Sequence, residues 1–154
     1  MVNLFTSFGY FPHDAGNARA LSEIVRVLKP GAPFVMDYFN LAATLAALAP
    51  SSERTVAGMR LYERRRFDPQ RQRLNKTIRV VGQGPARVLR ESVRAYTPGE
   101  LEGLLRRAGL KVEARYGDLF GARFDAAASP RCVFLARKEM TAQDAGVGSA
   151  DGRR

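Results

Sequence analysis

The chain of 154 residues contains one cysteine, one histidine and no tryptophan. A lone thiol, Cys132, excludes an internal disulfide and fits a reducing compartment. One histidine and one cysteine cannot supply the clustered ligands of a zinc-type site. No apolar run nears the roughly 18 residues that a membrane-spanning helix requires. The pattern of a charged stretch, an apolar core and a small-residue cleavage site is missing at the start, so a cytoplasmic protein is expected rather than a secreted one. Lysine is scarce too, with four residues against 21 arginines.

What is present is a net charge of +10 and a hydrophobic content of 45%, enough for one compact core. Most of the charge is regional. Between Glu53 and Arg94, eleven arginines and one lysine face only Glu53, Glu63, Asp68 and Glu91. An arginine bias of this kind arises from base composition as readily as from phosphate recognition. No aromatic residues interleave with the basic ones in a stacking pattern, and no nucleic-acid-binding motif occurs, so nucleic acid is not the expected partner.

Valine 2 to Phe11, VNLFTSFGYF, reads as a buried strand running into a turn. Phe11-Pro-His-Asp14 is a turn with Asp14 as the expected N-cap. Ala18, Leu21, Ile24, Val25 and Leu28 form the buried stripe of a helix, which Lys29-Pro30-Gly31 stops. Pro33 to Phe39 is a second strand, giving a βαβ unit and a parallel pair. Leu41 to Ala49 predicts a short helix ended by Pro50-Ser-Ser52. From Arg54 to Tyr96 the period becomes two: Leu61, Glu63 and Arg65 alternate with Tyr62, Arg64 and Arg66, and Leu74, Lys76, Ile78 and Val80 run back against Asn75, Thr77, Arg79 and Val81. Three polar-faced strands in an antiparallel meander are expected, with Gly82-Gln-Gly84 as a turn between two of them. Thr97-Pro98-Gly99-Glu100 is a capping box, followed by the stripe Leu101, Leu104, Leu105, Ala108 and a stop at Gly109. Two strands, Lys111–Tyr116 and Cys132–Arg137, complete a domain over residues 1–139, with a meander insertion at 51–96; residues 140–154 form a disordered tail.

Several of these pieces, in this order, carry a family likeness: NLFTSFGYF, Leu28-Lys-Pro-Gly31, Phe34-Val-Met-Asp37, Tyr96-Thr-Pro-Gly-Glu-Leu101, Ala108-Gly109 and Ser129-Pro-Arg131. Together they resemble a class I S-adenosylmethionine-dependent methyltransferase, an α/β fold of Rossmann-like type, from residue 2 to about 138. The resemblance implies a sheet ordered 3-2-1-4-5-7-6 with the seventh strand antiparallel, on which this chain supplies the C-terminal half from the fourth strand onward. The meander then becomes an insertion after the fifth strand, where such enzymes build a substrate cap. The glycine-rich loop and the acidic strand end that hold the cofactor have no counterpart, because no G-x-G-x-G follows any strand. Ligands of open α/β sheets bind at the switch point outside the carboxyl ends of the strands, so this chain is expected to form one wall of that cleft. A truncated frame, a split enzyme completed by a second chain, and a free-standing domain with another role all remain open as origins. The exposed edge of the first strand implies self-association, or pairing with a complementing N-terminal half.

By the same resemblance, Leu4, Phe5, Thr6, Ser7 and Tyr10 face S-adenosylmethionine, while Tyr38, Asn40 and Arg131 face a small-molecule substrate. Related glycine-type enzymes carry an arginine where Phe39 stands, which disfavours a small amino acid held by its carboxylate. Asp37 is expected to order its strand end, His13 to be a solvated turn residue, and Cys132 to be a buried inert thiol. The competing function class is a non-catalytic basic module that binds nucleic acid or a protein partner. Cofactor titration and the salt dependence of binding separate the two.

Overall fold

The computed structural model describes residues 1–140. All but the first residue of the expected tail, 140–154, lies outside the described residues.

A short strand β1 (Val2–Asn3) leads through a loop into helix α1 (Asp14–Val27), and strand β2 (Pro33–Phe39) follows. β1 and β2 are parallel, with Val2 opposite Val35 and Asn3 opposite Met36. The helix presents Leu21 and Val25 inward, and Leu28 beside its end is buried as well. Its N-cap is His13, not Asp14 as expected, and the cap makes no side-chain hydrogen bond. The Asp14 carboxylate instead accepts a hydrogen bond from the Tyr96 hydroxyl at 2.7 Å and pairs with Arg94 at 3.3 Å. A long-range partner has taken the group that the local pattern assigned to the cap.

After α2 (Leu41–Ala46) come four antiparallel strands rather than three: β3 (Ser51–Val56), β4 (Met59–Asp68), β5 (Arg73–Val81) and β6 (Arg87–Arg94), in that order across a separate sheet. β3 has no apolar alternation and every residue of it is exposed; it exists because β4 pairs with it through a tight turn. Ala57 and Gly58 both sit at positive φ, +48° and +76°, as a two-residue hairpin turn demands.

Helix α3 (Pro98–Arg107) carries the full capping box, with the Thr97 side chain accepting from the Glu100 amide and the Glu100 side chain accepting from the Thr97 amide. Strands β7 (Leu110–Tyr116) and β8 (Arg131–Lys138) then return to the first sheet, whose order is β1-β2-β8-β7. β8 is antiparallel to both neighbours. Phe34, Met36 and Tyr38 of β2 and Cys132, Phe134 and Ala136 of β8 join Leu21, Val25, Leu101 and Leu105 of the helices in one apolar core. Val93, Phe67 and Leu74 of the meander pack against that core, so the second sheet is anchored rather than merely tethered. β1 has β2 as its only paired strand among the described residues, and Val2 on it is 60% exposed.

Candidate functional site

In a sheet of this kind, ligands meet the carboxyl ends of the parallel strands. Here those ends are Leu4–Ser7 after β1 and Phe39–Asn40 after β2. The chain turns sharply at the first of them: Phe5 and Thr6 both adopt left-handed backbone, φ +55° and +58°. Two successive non-glycine residues in that region are strained and persist only where surrounding bonds impose the conformation. The bonds are visible. The Phe5 amide donates to Asp37 Oδ2 at 2.7 Å, the Thr6 amide donates to the Asp37 carbonyl at 3.2 Å, and the Ser7 amide donates to the Leu4 carbonyl at 3.2 Å. The Ser7 hydroxyl also donates to the Leu4 carbonyl. The turn holds the Phe5 ring outward, 74% exposed, and keeps Thr6 nearly buried.

A cavity of about 250 Å³ opens beside this turn. Thr6, Phe39, Thr44 and Arg131 line it from the first sheet and α2. The meander closes it from the other side with Leu74 and Val93, together with Arg65, Lys76 and Glu91. Cross-strand register explains why these five share a face: Leu74 lies opposite Val93 and Phe67, and Lys76 lies opposite Glu91 and Arg65. Tyr10 stands at the rim of this cavity and of a larger open groove of about 910 Å³. The larger groove lies between Tyr10–Asp14 and the meander residues Arg73, Asn75, Arg90 and Arg94, and two of its arginines are engaged in holding loops. Arg73 bonds the Phe11 carbonyl and Ser92, and Arg94 bonds Asp14 and Glu100.

The structure brings together Thr6, Tyr10 and Arg131 and leaves Tyr38 and Asn40 out of the cavity, contrary to the expectation that these two face substrate. Tyr38 is wholly enclosed, its hydroxyl donates to the Arg94 carbonyl, and burial raises its phenol pKa far above the ordinary value. Asn40 is also fully buried; its amide donates to the Ala126 and Ser129 carbonyls at 2.9 and 2.8 Å, pinning the loop before β8. Arg131 lines the cavity, but its guanidinium is already committed: it grips Asp37 through Nε and Nη2, both at 2.7 Å, and donates to Thr6 Oγ1 at 3.2 Å. Leu4 contributes its backbone carbonyl to the turn. His13 is exposed, and Cys132 is buried in β8 with its thiol pushed up to about 12 by burial. Burial, with the nearby Glu91 charge, also raises the Tyr10 phenol.

Sequence reasoning missed Arg65, Lys76, Glu91 and Glu63. Glu63 is 4% exposed and stands among three cations: Arg54 and Lys76 at 3.3 Å and Arg65 in closer contact. Burial alone would raise its carboxyl pKa, but the hydrogen bond and charge of Lys76 and the charges of Arg65 and Arg54 outweigh that and hold it below the usual value. An acidic residue at an inward position of an otherwise Arg-rich alternation was the available signal.

No protein-family model matches the sequence, and no curated protein is similar to it at a significant level. Solved structures do match. The CcbJ methyltransferase from Streptomyces caelestis superposes with a TM-score of 0.73 at 23% identity, over 89% of this chain and 59% of that protein. An S-adenosylmethionine-dependent methyltransferase from Clostridium acetobutylicum gives 0.76 at 14% identity, over 90% and 57%. A sugar N-methyltransferase from a Streptoalloteichus species gives 0.59 at 16%, over 90% and 55%. The chain therefore has the fold of class I S-adenosylmethionine-dependent methyltransferases, and it spans 55–59% of the length of these three proteins.

Proposed function

We propose that this class I methyltransferase fold contributes the acceptor side of an enzyme that transfers a methyl group from S-adenosylmethionine to a small molecule. The observation that carries the reading is the strand order β1-β2-β8-β7 with β8 antiparallel on both sides, which parallels the 4-5-7-6 end of the expected sheet. On this reading the chain is the C-terminal part of the catalytic fold. The glycine-rich loop and acidic strand end come from polypeptide outside residues 1–154 and dock along the free edge of β1. Without that partner, the same edge favours self-association.

S-adenosylmethionine, when bound, supplies an electrophilic methyl group on a sulfonium. The backbone of Leu4 and Phe5 would lie along its methionyl end, with Thr6 and Ser7 turned toward the reacting methyl and Tyr10 closing the methionyl pocket. The turn imposed by Asp37 fits such a role, because it fixes this backbone before any ligand arrives. The meander caps the acceptor, excludes water and sets its orientation, which by itself is worth several kcal/mol in a two-reactant displacement. The cavity's apolar floor of Phe39, Leu74 and Val93, with polar groups placed around it, suits a small organic acceptor.

The test is reconstitution. Calorimetric titration of the chain alone with S-adenosylmethionine should give weak or no heat. Joined to a glycine-rich first half of the same fold, it should bind the cofactor and show methyl transfer; a completed protein indifferent to the cofactor would end this reading. A non-catalytic, anion-binding module is the second reading, favoured by Arg60, Arg64, Arg66, Arg79 and Arg90. All five lie on the face of the meander opposite Arg65 and Lys76, and none has an ion pair among the described residues. Cofactor-independent nucleic-acid binding that falls steeply with salt would favour it.

A further inference from the structure

The inner face of the meander holds more cations than its carboxylates neutralise, and it holds them at the cavity. Glu63, buried, is met by Arg54, Arg65 and Lys76, three positive charges on one negative. Arg65 and Lys76 both line the 250 Å³ cavity, with side chains only 25% and 28% exposed, while Arg54 lies out in solvent at 58%. Arg131, the third cation of the lining, is neutralised by Asp37. Glu91 is the lining's remaining carboxylate and makes no ion pair among the described residues, and it is exposed. Counting it, the group of Arg54, Arg65, Lys76, Glu63 and Glu91 still keeps one positive charge in excess.

Taking a cation three-quarters out of water is unfavourable unless an opposite charge stands near it. One buried carboxylate is shared by both cavity cations and by Arg54, so a single negative charge offsets only part of their positive charge. The same carboxylate restrains both long side chains, so a ligand meeting them would lose little of its affinity to ordering them.

We propose that Arg65 and Lys76 form an anion subsite, and that the molecule occupying this cavity carries a carboxylate or phosphoryl group seated between them. This rests on the methyltransferase reading only for the identity of that molecule as acceptor; the subsite itself does not need the cofactor. A guanidinium fork beside a compact ammonium accepts either oxyanion. An acceptor anchored there lies across the apolar floor, with its far end toward Thr6 and Tyr10.

The experiment is a titration of the chain, followed by backbone amide NMR, with inorganic phosphate and separately with acetate at low ionic strength. Saturable shifts centred on Arg65, Lys76 and Thr44 are expected. Tighter phosphate than acetate binding points to a phosphoryl group, and equal or tighter acetate binding to a carboxylate. Lys76→Gln should weaken binding roughly fivefold and Glu91→Gln should strengthen it by a similar factor, the size expected for one unit charge at partly screened contact distance. Arg79→Gln, on the opposite face, should leave it unchanged. Opposite signs for Lys76→Gln and Glu91→Gln exclude a mere loss of folding. Absence of saturable binding by either anion, or equal weakening by Arg79→Gln and Lys76→Gln, would overturn the subsite. Anion binding that survives while the completed protein ignores S-adenosylmethionine would instead overturn the methyltransferase reading alone.

Discussion

Asp37 of β2 and Arg131 of β8 form a two-pronged ion pair, Nε to Oδ1 and Nη2 to Oδ2, both at 2.7 Å. Asp37 is completely buried, and the same Oδ2 accepts the Phe5 amide at 2.7 Å. One carboxylate therefore joins two strands and imposes the left-handed turn at the end of a third.

Replacing Asp37 by Asn removes the negative charge and leaves Arg131 partly buried without a counter-ion. Breaking a buried pair by deleting one partner costs about 3–5 kcal/mol. Arg131 retains some water contact, at 28% side-chain exposure, so the expected loss is near the lower bound, about 3 kcal/mol. Urea unfolding measures it, and an unchanged midpoint would show that the pair does not hold the turn.

Gly9 stands at φ +94°, and a Cβ there would lie 2.9 Å from the Tyr38 hydroxyl oxygen and 3.2 Å from the Arg94 carbonyl oxygen. Both atoms belong to the bond that closes the core onto the meander. Gly9→Ala meets a backbone penalty and a steric one together, with an expected cost of about 2–3 kcal/mol. Thermal melting would register this as a lower Tm; a neutral effect would mean that the loop shifts freely.

The thiol of Cys132 has its pKa raised in the folded chain, so the folded state holds that proton more tightly than the unfolded one. The stability this confers is complete below the unfolded pKa of about 8.5 and is lost as pH rises toward the folded value of about 12. Tyr38 and Tyr96 are raised as well and add to the loss above about pH 10. Stability should fall from about pH 9 upward, and Cys132→Ala should remove the first part of that fall. Alkylation of the thiol at pH 8 should be negligible in the native chain and rapid in denaturant; fast native labelling would contradict the buried placement.

Glu63 behaves in the opposite sense. Its pKa is lowered in the folded chain, so its stabilising effect is present above the unfolded value of about 4.3 and disappears as pH falls through the folded value. Glu63→Gln should lower stability at pH 7, because it leaves Arg54, Arg65 and Lys76 facing each other, and should flatten the acid limb of the stability profile. An acid limb of the same steepness in the variant would place its origin elsewhere.

Local signals made much of the fold legible. Thr97 and Glu100 are three residues apart, and their reciprocal bonds need nothing from the rest of the chain. Leu21 and Val25 reveal a helix because spacing alone puts them on one side. The alternation in β4 and β5 separated Arg65 and Lys76 from Arg64 and Thr77 correctly, since side-chain direction in a strand has period two. The strand β3 escaped notice for the complementary reason: Ser51-Ser-Glu-Arg-Thr-Val56 has no buried face, and its order comes from pairing with β4.

The sequence by itself determined the helices, every strand but β3, their order and the two faces of β4 and β5, because those depend on neighbours a few residues away. It could not decide which polar groups at the strand ends face a ligand and which lock the fold. Tyr38 and Asn40 have the composition of a substrate contact, yet their partners Arg94 and Ser129 lie 56 and 89 residues further along the chain. Only the packed structure decides this, because a hydroxyl or an amide bonds with equal ease to a ligand or to a backbone carbonyl, and what settles the matter is which of them tertiary packing brings within 3 Å.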